Sequence, residues 1–109
     1  MLAARDEAFD LLNKWLAEGT LLECRTRFRF LETKLRGRVR ELGADGARLE
    51  SDDGTSGLLV RLEGKIDFAY GDPNISDERE SFCGTLVMIF RLDEEDFKTD
   101  FVSLSEISI

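Results

Sequence analysis

The chain has 109 residues, 42% hydrophobic and 35% charged, with a net charge of −8. That balance suits one folded domain with its own core, residues 1–109, and excludes a wholly disordered chain. It contains no histidine, which removes the commonest general base and rules out Ser/His and Cys/His nucleophile systems.

Residues 3–18 read as an amphipathic helix. Ala4, Ala8, Leu11, Leu12, Trp15 and Leu16 recur at helical spacing, with Arg5, Asp6, Asp10, Lys14 and Glu18 largely elsewhere. Gly19 stands where a left-handed C-terminal cap is usual. Charges follow Met1 too early for a signal peptide, and no apolar run approaches the ~20 residues of a membrane helix. The expected location is the cytoplasm, with no membrane contact.

From residue 20 to residue 109 the period is that of strands. Leu22, Cys24, Phe28 and Phe30 alternate with Glu23, Arg25, Arg27 and Arg29. Leu35, Gly37 and Val39 alternate with Lys34, Arg36, Arg38 and Arg40. The two runs are too long for one strand, so a turn is expected near Leu31-Glu32. Gly43-Ala44-Asp45-Gly46 reads as a turn, with Asp45-Gly46 supplying the positive φ angles of a tight hairpin. Residues 52–57 form the next turn, after the short strand Ala47–Ser51. Leu58, Val60, Leu62, Ile66, Phe68 and Tyr70 share one face of a long strand, with Gly64 marking a bend in its middle.

Residues 71–80 read as a long loop. In the strand expected over Phe82–Leu92 both faces carry apolar residues. Leu86, Met88 and Phe90 lie on one; Cys83, Val87 and Ile89 lie on the other. Such a strand is central or covered twice, and the helix is the expected second cover. A last strand runs from Phe101 to Ile109. The fold class expected is α+β and mainly β, an N-terminal helix followed by a strongly bent sheet of five or six antiparallel strands or a small barrel.

Cys24 and Cys83 fall on opposite phases of their strands, so no disulfide is expected. The acidic run Asp93-Glu94-Glu95-Asp96 lacks the alternating spacing of a calcium loop. No cofactor or metal is expected.

Two runs resemble known families. Leu35-Arg36-Gly37-Arg38-Val39, a turn, then Ala47-Arg48-Leu49-Glu50-Ser51-Asp52 resembles the middle of the first motif of Sm-like domains. Phe101–Ile107 is similar to their closing strand. The match covers about a third of the chain. It implies a small bent barrel with an N-terminal helix, ring assembly and RNA binding. The family's second-motif Arg-Gly is absent before Ile107. Arg36 and Arg40 have the RxxxR spacing of PilZ domains, which bind a cyclic dinucleotide. Here the turn Asp53–Gly57 is one residue shorter than that family's.

The unusual feature is a basic ladder. Residues 25–40 hold seven cations, Arg25, Arg27, Arg29, Lys34, Arg36, Arg38 and Arg40, against one acid, Glu32, a local charge of +6. Paired as a hairpin, these strands would set like charges side by side, which needs neutralising. Outward carboxylates of neighbouring strands, Glu50 and Asp52 or Glu63 and Asp67, could do it. So could the acidic remainder of a second copy, another protein, or a nucleic acid or phosphate. The function expected is a non-catalytic binding or assembly module, a homo-oligomer or a partner of another protein. The candidate interface is Cys83, Val87 and Ile89. The alternative is anion, nucleotide or RNA binding through the ladder.

Overall fold

The computed structural model describes residues 2–3, 5–28, 31–62, 66–71, 82–90 and 100–107. The elements are β1 (Leu2–Ala3), α1 (Arg5–Glu18), β2 (Leu22–Phe28), β3 (Leu31–Gly43), β4 (Gly46–Ser51), β5 (Gly57–Arg61), β6 (Ile66–Tyr70), β7 (Thr85–Phe90) and β8 (Phe101–Glu106). They form one antiparallel sheet in the order β1-β6-β7-β8-β2-β3-β4-β5. Seven strands have five or more residues, where five or six were expected, and β1 adds two residues at one end. The extra strand comes from the 58–70 run. Its halves are separate strands at opposite ends of the order, with the expected bend at Gly64 falling outside the described residues. Among the described residues β1 and β5 do not pair, so the sheet is bent but not closed into a barrel.

The helix forms where the apolar stripe predicts and starts at Arg5. Gly19 takes φ 63°, and the Thr20 N–H reaches back to the Trp15 carbonyl at 3.2 Å. Those two features make the Schellman stop. Ala8, Leu12 and Trp15 are fully buried against Leu22, Cys24, Val39, Leu49, Phe68, Leu86, Met88 and Leu104 on one face of the sheet. Trp15 also meets Phe82 edge-on at 5.9 Å, and its indole N–H donates to Glu106 Oε1 at 2.9 Å.

Val87, Ile89 and Phe101 make a separate buried cluster. They alternate with Leu86, Met88 and Val102, which belong to the helix-side core, so they lie on the other face of the sheet. The helix is therefore not the cover of Val87 and Ile89. The expectation failed because α1 lies on the face of Leu86 and Met88, with the rest of the concave core.

β3 is the long element that bends the sheet. Its first half pairs with β2 and its second half with β4. The changeover comes at Gly37, opposite both Leu22 and Ser51. A Cβ there would meet the Glu50 carbonyl oxygen, so only glycine lets β4 approach so closely. Three residues on, the register slips between Val39 and Glu41, leaving Arg40 as the extra residue of a bulge. The β3–β4 turn falls within Gly43–Gly46 as expected, but Gly46 does not take the positive φ of the expected tight hairpin. Gly43 pairs with Gly46, so Ala44-Asp45 is the turn. A Cβ on Gly46 would press on the Val60 carbonyl, so the glycine serves the approach of β5 instead.

Candidate functional site

The basic ladder lies on the β2–β3 hairpin, and its register decides what the charges meet. Phe28 pairs with Leu31 and Arg27 with Glu32, so Leu31-Glu32 is strand and not the expected turn. The outward pairs are then Glu23 with Arg36, Arg25 with Lys34, and Arg27 with Glu32. Two of the three are opposite in sign. Only Arg25 and Lys34 are like charges side by side, so the expected stacking of cations is confined to one rung.

Most of the ladder that has partners finds them inside the chain. Arg27 lies 3.5 Å from Glu32, and Lys34 lies 3.7 Å from Glu23. Both contacts are at the surface, where such pairs contribute about 0–1 kcal/mol. Arg38 is different. Its Nη1 donates to Asp52 Oδ1 at 2.5 Å, and its Nε donates to the Gly19 carbonyl at 2.9 Å. A cation at the C-terminal end of α1 meets the negative end of the helix dipole. Arg38 thus ties the helix end, β3 and the β4–β5 turn together. Glu50, the other expected neutraliser, lies 3.6 Å from Arg48 instead. Arg29 and Glu63 lie outside the described residues. Arg25, Arg36 and Arg40 make no ion pair with any described residue, and they sit on different rungs.

Beside the hairpin is an open cleft of about 370 Å³, lined by Lys34, Leu35, Arg36, Ser51, Asp52, Asp53, Thr55 and Ser56. Asp53 organises its rim. Its Oδ1 accepts from the Ser51 hydroxyl at 2.7 Å, the Thr55 hydroxyl at 2.7 Å and the Thr55 N–H at 3.0 Å. These bonds hold its carboxyl down at about 2. Two cations and two carboxylates share the cleft, so it is not a plain anion pocket.

One wall of the cleft is an open sheet edge. Leu31–Leu35 pair with β2 on one side, and β4 begins its pairing only at Gly37. The Arg36 carbonyl accepts from the Asp52 N–H at 2.9 Å, which fixes the direction of its backbone groups. Lys34 and Glu32, two and four residues before it, aim their N–H and C=O to the same side by strand alternation. There they meet no strand among the described residues. The arm is also exposed. Leu31 is 66% exposed and Phe28, its cross-strand neighbour, is 38% exposed.

The other expected interface dissolves. Val87 and Ile89 are buried within the chain, and Cys83 is exposed and precedes β7. Cys24 is buried in β2, so the two thiols are free as expected. Sequence reading missed Phe28, Leu31 and Glu32. The available signal was that Leu31-Glu32-Thr33-Lys34-Leu35 alternates as a strand and contains no turn former.

Among the described residues no group of three or more carboxylates and thiols gathers as a ligand set, and no helix is long and apolar enough to cross a membrane. Comparison with protein-family models, with curated proteins and with solved structures finds no match to this chain.

Proposed function

We propose that this chain is a non-catalytic binding or assembly module that engages protein through the open outer edge of the β2–β3 hairpin. The observation that carries this reading is the half-paired strand Leu31–Leu35. Among the described residues it combines unpaired backbone donors and acceptors with exposed Phe28 and Leu31. Open strand edges bind by sheet extension unless they are blunted or covered. Proline and a bulge, two usual devices against pairing, are absent from the segment; the bulge lies farther on, at Arg40. Anion or RNA binding stands second. Asp52 and Asp53 share the cleft with Lys34 and Arg36, and Arg38 is committed to Asp52.

Amine-directed cross-linking tests the reading, because Lys34 lies on the hairpin and Lys14 on the helix. The chain is purified from its own cells with whatever stays bound, second copies included. Cross-links are mapped in parallel for a Leu31→Asp variant. Intermolecular cross-links at Lys34 are expected, lost in the variant. Complexes that cross-link at Lys14 and never at Lys34 overturn the proposal.

A further inference from the structure

We propose that the occupant of the open β3 edge is a second copy of the same chain, paired antiparallel about a two-fold axis at Thr33. The inference rests on the hairpin being the binding surface and goes on to name the partner and the register. The segment Leu31-Glu32-Thr33-Lys34-Leu35 is a charge palindrome. Turned end for end against itself, Leu31 faces the partner's Leu35 and Glu32 faces the partner's Lys34. Thr33 faces the partner's Thr33, and the remaining pairs repeat by symmetry. Both charged rungs are opposite in sign, and both outer rungs are apolar.

The backbone phase agrees. Glu32 and Lys34 are the residues whose N–H and C=O point to the open side. In this register they face each other and exchange ladder hydrogen bonds. Thr33 and the Leu31–Leu35 rungs become the pairs without hydrogen bonds, where Cα atoms lie about 4.5 Å apart and side chains are closest. Leu31, two-thirds exposed in the single chain, gains an apolar neighbour on its own face of the sheet. A shift of the axis to Glu32 or to Lys34 also keeps the backbone phase. It sets a carboxylate against a carboxylate, or an ammonium against an ammonium. The axis at Thr33 is the neutral choice among the three.

The pairing is confined to Leu31–Leu35, because the Arg36 carbonyl next along already accepts from the Asp52 N–H; the paired stretch ends there, beside the cleft. Because the contact is two-fold, it uses the same edge on both copies and closes as a dimer without propagating. The terminal strand β5 (Gly57–Arg61) has no such pattern. Pairing it on itself about Leu59 sets Arg61 against Gly57, with no carboxylate opposite.

Charge exchange at the palindrome tests both register and partner. The wild-type chain, Glu32→Lys, Lys34→Glu and an equimolar mixture of the two variants are compared by analytical ultracentrifugation and native mass spectrometry. The wild type is expected to be a dimer. Each single exchange puts like charges on both central rungs and should weaken dimerisation about tenfold or more. The mixture should restore a one-to-one heterodimer, since every rung is again opposite in sign. In a Cys83→Ser background, Thr33→Cys should form an intermolecular disulfide on mild oxidation, because the expected Cα separation of about 4.5 Å suits one. A wild-type monomer, or a dimer indifferent to both exchanges, overturns the proposal. If the wild type is monomeric while Lys34 cross-links to a different protein, self-pairing fails and the hairpin reading stands.

Discussion

Asp53 shows how one side chain can hold a turn in shape. A single carboxylate oxygen accepts three hydrogen bonds, from the Ser51 and Thr55 hydroxyls and the Thr55 N–H. The Ser51 hydroxyl in turn accepts from the Ser56 N–H at 3.0 Å. All three donors to Asp53 favour the ionised form, so its carboxyl is lowered from 3.8 to about 2. The sign follows from linkage. The unfolded chain takes up a proton here near pH 4, while the folded chain resists until about pH 2. The contribution of this group to stability is complete above pH 4 and is lost as pH falls from there towards 2. A side-chain carbon NMR titration should place Asp53 among the lowest carboxylates, and Ser51→Ala should raise it. A midpoint for Asp53 at the ordinary aspartate value would refute the bonding.

At the scale of elements the ladder separates into residues with different tasks. Arg38 donates to the Gly19 carbonyl just past the helix end and to the Asp52 carboxylate together, whereas Arg36 has no ion-pair partner among the described residues. Arg38→Gln should therefore cost about 1–2 kcal/mol of unfolding free energy, and Arg36→Gln less than about 0.5. Urea denaturation of the two variants measures the difference; equal effects would place Arg38 with the other surface cations. Nothing in the sequence marks Arg38 out. Arg36, Arg38 and Arg40 sit in one alternating run, and their roles diverge through contacts with Gly19 and Asp52, distant in sequence. The same limit explains what else was legible. Helical period and strand alternation are local, so the helix and most strand cores could be read directly. The turns were harder. The turn at Gly43–Gly46 was legible, but Gly46 does not take the positive φ expected of it and serves the approach of β5 instead. Leu31–Leu35 was obscured because the turn was placed on its first two residues. The side on which the helix packs was not legible at all, because β7 is apolar on both faces.

For the whole molecule, the informative residue is Cys24. It lies in β2, between β8 and β3 near the middle of the sheet order, and its thiol is buried in the helix-side core. Burial, then the neighbouring charge of Glu23, pushes the thiol up to about 12. The reactive form is the thiolate, so Cys24 is shielded both by access and by its missing charge. Cys83 is exposed. Alkylation at neutral pH should modify Cys83 promptly and Cys24 only when the core opens. Cys24 becomes accessible only if α1 lifts from the sheet, and Ala8, Leu12 and Trp15 are fully buried in the same core as the thiol. Local fraying does not reach it, so its modification should follow global unfolding, with the full denaturant sensitivity of the domain. The same burial fixes an alkaline trend. The unfolded thiol loses its proton near pH 9 and the folded one near 12, so this group's contribution is intact below 9 and is lost as pH rises from 9 towards 12. Mass spectrometry of alkylated peptides across a urea series checks the prediction. Cys24 and Cys83 labelling at one common rate in the absence of urea would mean that Cys24 is not held in a cooperative core.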